Sequence, residues 1–113
     1  MNIDMLASFR ECWEKIEEVG NQYAEAKGQS WQSQELKGSV LASIIKKYPS
    51  LPVSKAEIEG RSSEDYQTYI KETAKAITKE LKLKAQLEKW KAKFESMRSL
   101  SSLEKAQINS EGH

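Results

Sequence analysis

The chain has 113 residues, 18 basic and 17 acidic side chains, a net charge of +1 and a mean hydropathy of −0.72. One cysteine excludes an internal disulfide framework, and one histidine, at the last position, excludes a histidine-based metal site. Five glycines and two prolines argue against a turn-rich all-β fold, and no apolar run reaches the roughly 18 residues that span a bilayer.

The first predicted helix covers about Asp4 to Lys27, with Asp4 as candidate N-cap. Leu6, Phe9, Trp13, Ile16 and Tyr23 recur at helical spacing and predict its apolar stripe. Gly20 lies inside this pattern, where close approach of another helix would explain it. The opposite face carries Asp4, Glu11, Glu14, Glu18 and Glu25. Without a low-dielectric cleft such carboxylates form a solvated face; the functional reading is a docking ridge for a basic partner. Cys12, with no internal histidine to activate it, reads as a buried structural thiol.

The second predicted helix runs from about Ser30 to Tyr48, with Val40, Leu41, Ile44 and Tyr48 as its stripe and Trp31 and Leu36 as outlying members. Two arrangements remain open at Gly28: a separate helix capped by Ser30, or one long helix bent there. Pro49 and Pro52 end it, and Ser54 to Ile58 has room for one turn of helix before Gly60.

The third predicted helix is long. Ser62 is the expected N-cap, with Asp65 completing a capping-box-like start, and from Ser63 to about Leu103 there is neither Gly nor Pro. Some 40 residues at about 1.5 Å each would span roughly 60 Å, so an elongated particle is expected. Its apolar residues form two groups. Tyr66, Ile70, Ala74, Ile77, Leu81 and Ala85 share one sector of the wheel; Leu83, Leu87, Trp90, Phe94 and Met97 share another, rotated by roughly 140°. Supercoil drift of about 20° per heptad is too small for that, so two packing partners are expected. The second group would meet another subunit or the N-terminal helix of its own chain. Leu87, Trp90, Phe94 and Met97 are accordingly the candidate oligomer interface. Residues 108–113 are expected to be a disordered tail.

The charge balance is uneven: −3 over residues 1–27 and +5 over residues 71–98. Lys71, Lys75, Lys79, Lys82, Lys89 and Lys93 fall within roughly 80° of arc, and none of that segment's acids shares the sector. Lysines four apart on a helix are roughly 6 Å apart. That spacing suits a phosphate backbone, and Trp90 is placed to stack on an unpaired base. The bland alternative is a solvated lysine face on a nearly neutral chain. No catalytic residues, metal or cofactor are expected: Ser-x-x-Lys occurs only about as often as chance predicts, and there is no Gly-rich phosphate loop.

Tyr23-Ala-Glu-Ala-Lys27, Glu35-Leu-Lys-Gly-Ser-Val-Leu-Ala42, Ser63-Glu-Asp-Tyr66 and Phe94-Glu-Ser-Met-Arg-Ser99, with the Ser/Glu/Lys/Ala ending, resemble a family of small helical proteins encoded by bacteriophages and prophages. The resemblance covers about residues 20–107. Gly28 and the Pro49/Pro52 connector depart from the family's pattern. The family is mostly of undefined function, and some members lie among phage recombination and replication genes. The resemblance therefore implies a DNA-metabolism role in the cytoplasm of a bacterial host.

The expected fold is all-α: an antiparallel helical hairpin or three-helix assembly with a long C-terminal helix, as a homo-oligomer. The first functional expectation is a non-enzymatic protein that binds single- or double-stranded DNA without sequence preference. The second is a protein-interaction adaptor that touches no nucleic acid. Neither involves a membrane.

Overall fold

The computed structural model describes residues 3–111, and among them the fold is all-α. α1 is Ile3–Glu35, α2 is Lys37–Ile45, α3 is Val53–Ser62 and α4 is Glu64–Glu111. α1 passes through Gly28 without a break, so the one-helix alternative holds there. Gly28 has a negative φ, and its helical position is open on the side-chain side. The interruption falls at Leu36, whose φ of −82° and ψ of −4° remain right-handed. The ladder is carried across it by Leu36 N–H to Gln32 O (3.0 Å) and Val40 N–H to Leu36 O (2.9 Å).

α2 stops at Ile45, ahead of the prolines. Pro52, at φ −56° and ψ 150°, is the residue from which α3 starts, and Ala56 N–H donates to its carbonyl (2.9 Å). α3 is longer than the single turn expected, and Gly60 lies inside it rather than ending it. A Cβ at Gly60 would sit 3.1 Å from Ile45 Cγ1 and 3.5 Å from Leu41 Cδ1. The glycine serves close approach of α2 and α3.

The cap of α4 is one residue later than expected. Ser63 has the extended backbone of an N-cap, and its hydroxyl accepts from the Tyr66 N–H (3.2 Å). Ser62 instead donates to Ile58 O and belongs to α3. Glu64 and Asp65 place negative charge in the first turn of α4, where the free N–H groups favour it. α4 continues to Glu111, past the expected end near Leu103. The last two residues of the expected tail lie outside the described residues.

The chain divides into two compact units. One combines α1 up to Ala24 with α4 from Lys82 onward; the other is Glu25–Leu81. In the first unit α1 and α4 run antiparallel: Phe9 meets Phe94 edge-on at 5.4 Å between centroids, and Cys12 Sγ–H donates to Met97 Sδ at 3.6 Å. A Cβ on Gly20 would lie 3.9 Å from Leu87 Cδ1, an ordinary contact, so no unusually close helix approach requires this glycine. Cys12 is wholly buried, as expected of a structural thiol.

In the second unit α2 and α3 pack on each other, and Ile44, Ala56, Gly60 and Tyr66 are buried. The Tyr69 hydroxyl donates to the Ser33 carbonyl, joining α4 to the end of α1. Ser30 is fully buried and its hydroxyl accepts from Gln34 Nε2 (3.0 Å), while among the described residues the buried Thr73 hydroxyl has no hydrogen-bond partner.

Shielded positions spaced alternately by four and three run along both long helices. In α1 they are Met5, Phe9, Cys12, Ile16 and Val19, then Tyr23, Ala26, Ser30 and Ser33, with Ser8, Lys15 and Gly20 half-buried beside them. In α4 they are Tyr66, Tyr69, Thr73, Ala76 and Glu80, then Leu83, Leu87, Trp90, Phe94 and Met97, and finally Ser101; Ile70 and Ile77 of the expected first group are half-buried beside them. Such spacing is the heptad seam of an antiparallel coiled coil, which buries a stripe of period 3.5, and in the first unit its two sides meet at Phe9–Phe94 and Cys12–Met97. Leu6 and Trp13, expected in the α1 stripe, stand outside the seam and are exposed. So are Ala74, Leu81 and Ala85 of α4.

Candidate nucleic-acid interface

α4 turns its seam inward, so the residues about half a turn away form its outer ridge. In the second unit that ridge carries Thr68, Lys71, Lys75 and Thr78, with Lys79 at its edge. In the first it carries Lys82, Ala85, Lys89 and Ala92, with Lys93 at its edge. All six expected lysines are exposed. Thr68, Thr78, Ala85 and Ala92 between them are small, whereas Leu81, Gln86 and Glu88 are exposed beside them.

Lys75 is held by Glu72 at 3.3 Å, an exposed pair one turn apart that contributes little. Lys93 Nζ sits 5.1 Å from the centre of the Trp90 ring, a cation–π arrangement. Among the described residues, Lys71, Lys79, Lys82 and Lys89 have no carboxylate within ion-pair distance. Their charge is neutralised only by solvent ions, which a phosphate backbone would displace.

Leu87, Trp90, Phe94 and Met97 are all half-buried seam residues of the first unit. Phe94 touches Phe9 and, at 6.3 Å, Trp13; Met97 accepts from Cys12; Leu87 faces Gly20. The group therefore meets the N-terminal helix of its own chain, one of the two partners expected. Trp90, half-buried with Lys93 over its ring, is only partly available to a base.

Sequence reasoning missed a second cationic line. Lys84, Lys91, Arg98 and Lys105 recur every seven residues along the opposite flank of the seam, and all are exposed. Arg98 pairs with Glu95 at 3.2 Å. A seven-residue count would have found this line, whereas a search for one narrow sector did not. Beside it lies an open groove of about 450 Å³ lined by Leu6, Phe9, Arg10, Trp13 and Phe94.

The carboxylates Asp4, Glu11, Glu14, Glu18 and Glu25 are exposed on α1, and Glu18 pairs with Lys15 at 3.5 Å. Among the described residues no group of three or more His, Cys, Asp or Glu could hold a metal ion, and no helix is long and apolar enough to cross a membrane. The displaced titrations occur at the Lys47–Asp65 pair (2.8 Å). Its hydrogen bond and mutual attraction hold the Asp65 carboxyl below its ordinary range and raise the Lys47 ammonium. No family model, curated protein or solved structure matches the chain.

Proposed function

We propose that this is a non-enzymatic nucleic-acid-binding protein that grips the phosphate backbone, without reading sequence, through the outer lysines of α4. One observation carries the reading: among the described residues Lys71 and Lys79 of the second unit and Lys82 and Lys89 of the first are exposed and have no carboxylate within ion-pair distance. No cluster of Arg, Asn or Gln lines the ridge for base readout, so affinity comes from charge and counterion release. The resemblance to phage and prophage helical proteins points to an accessory role in DNA recombination or replication, in the cytoplasm of a bacterial host.

Binding to short single- and double-stranded DNA should fall steeply with salt. Three to six neutralised phosphates correspond to a log–log slope of magnitude about 2 to 5. Lys79→Glu, Lys82→Glu and Lys89→Glu together should abolish binding with helicity intact, because exposed substitutions usually move stability by less than about 0.5 kcal/mol each. An absence of DNA binding at low salt, or binding indifferent to this triple change, would overturn the reading.

The alternative is a protein-interaction adaptor without nucleic-acid affinity. It is favoured by the apolar side chains that α1 leaves exposed at Leu6 and Trp13.

A further inference from the structure

The first unit has an apolar face with no occupant. Ile3, Leu6 and Trp13 are 85%, 52% and 61% exposed. With Arg10, Glu17 and Gly20 they share one sector of α1, rotated by roughly 110° from the seam. Ala24 continues the line. Trp13 lies tilted by 50° against Phe94 and is mostly exposed.

The order of residues on this face is informative. Large apolar side chains, Ile3 and Leu6, lie at one end, and Gly20 and Ala24 at the other. Trp13 lies between them, with Arg10 one turn before it and Glu17 one turn after. The face is therefore its own complement when reversed. Laid antiparallel on an identical face, with the two-fold axis beside Trp13, Ile3 and Leu6 fall opposite the small residues. Arg10 then comes opposite Glu17 of the partner subunit, and Glu17 opposite the partner's Arg10. Among the described residues neither Arg10 nor Glu17 has an ion-pair partner.

We propose that the chain forms a two-fold dimer through this α1 face, with a second copy of itself as the occupant. Contact of this kind is isologous: one patch serves both subunits and the assembly closes at two. It covers the tryptophan and leucine that the fold leaves in solvent, and the two Arg10–Glu17 pairs fix the antiparallel direction. The groove lined by Leu6, Phe9, Arg10, Trp13 and Phe94 gives the partner's apolar side chains a place to seat. This interface is separate from the α4 lysine ridge and does not depend on nucleic-acid binding.

The test is equilibrium sedimentation of the full chain in the absence of nucleic acid. The wild type should be a dimer at micromolar concentration. Leu6→Glu with Trp13→Glu should give a monomer of unchanged helicity, since both side chains are exposed. Arg10→Glu and Glu17→Arg should each weaken association about tenfold or more, and the double exchange should recover most of it. A wild type that stays monomeric at millimolar concentration overturns the proposal. So does a dimer that survives Leu6→Glu/Trp13→Glu, or a double exchange no better than the single ones.

Discussion

Replacing Gly28 by alanine tests the continuity of α1. Gly28 lies well inside a 33-residue helix, is exposed, and a Cβ built on it meets nothing within 4 Å. Alanine adds no clash there and restricts the unfolded chain. The helix-interior preference for alanine over glycine is about 1 kcal/mol, of which about 0.4–1 kcal/mol is typically realised at a compatible site. For a chain of this size that is a rise in Tm of roughly 2–6 °C. Gly60→Ala is the internal control. It has the same helical preference, but its Cβ would press on Ile45 Cγ1 at 3.1 Å. Overpacking costs about 1–3 kcal/mol, so the net effect should be neutral to destabilising by about 2 kcal/mol. Thermal and urea unfolding followed by circular dichroism would measure both. If Gly28→Ala lowers Tm while Gly60→Ala raises it, the helix is broken at Gly28 and the α2–α3 contact is not the one described.

Thr73→Val removes a buried hydroxyl without a partner while keeping the shape, and should stabilise the chain by about 1 kcal/mol in urea titration. Thr73→Ala leaves a void and should not. Phe94→Ala should cost about 2–3 kcal/mol, since half-burial trims the loss expected for a core phenylalanine; Leu103→Ala on the exposed flank should stay within about 0.5 kcal/mol. The Lys47–Asp65 pair adds a pH dependence of known sign. The Asp65 carboxyl is lowered in the folded chain, so its contribution is present above the ordinary carboxylate range and fades as acid protonates it. The Lys47 ammonium is raised, so its share is present below the ordinary lysine range and fades in strong alkali. In Lys47→Met, NMR titration should find the Asp65 carboxyl moved upward; an unmoved carboxyl would mean the pair does not form in solution.

The helical class, the long α4 and the proline-bounded connector were legible because they rest on local rules. Pro49 and Pro52 cannot continue a helix, and the stretch after Ser63 has no breaker. The seam was harder to read. Its members at Ser30, Ser33, Thr73 and Glu80 are polar, so an apolar search passed over them and took Leu6, Trp13, Ala74 and Leu81 instead. A wheel drawn at 100° per residue also turns a 3.5-residue seam by about 20° per heptad. The two apolar groups of α4 are centred about two heptads apart, so this drift supplies only about 40° of their separation; the rest came from counting Ala74, Leu81 and Ala85, which are exposed, as part of a buried stripe. The lysine ridge was found because charge needs no burial pattern to be seen. The exposure of Trp13 was hidden because aromatic residues at helical spacing are ordinarily core.

A seam that repeats every seven residues makes the length of the first unit modular. Within this unit the heptads of α1 lie against those of α4, with Phe9 on Phe94 and Cys12 on Met97. Loss or gain of a single residue in either helix turns everything beyond it by about 100° and sends buried side chains into solvent. Excision of seven residues from α1 together with the facing seven from α4 returns every remaining side chain to its former side. Insertions and deletions in this unit are therefore tolerable only as matched pairs of two turns, and chains of the same design should differ in length by about fourteen residues at a time.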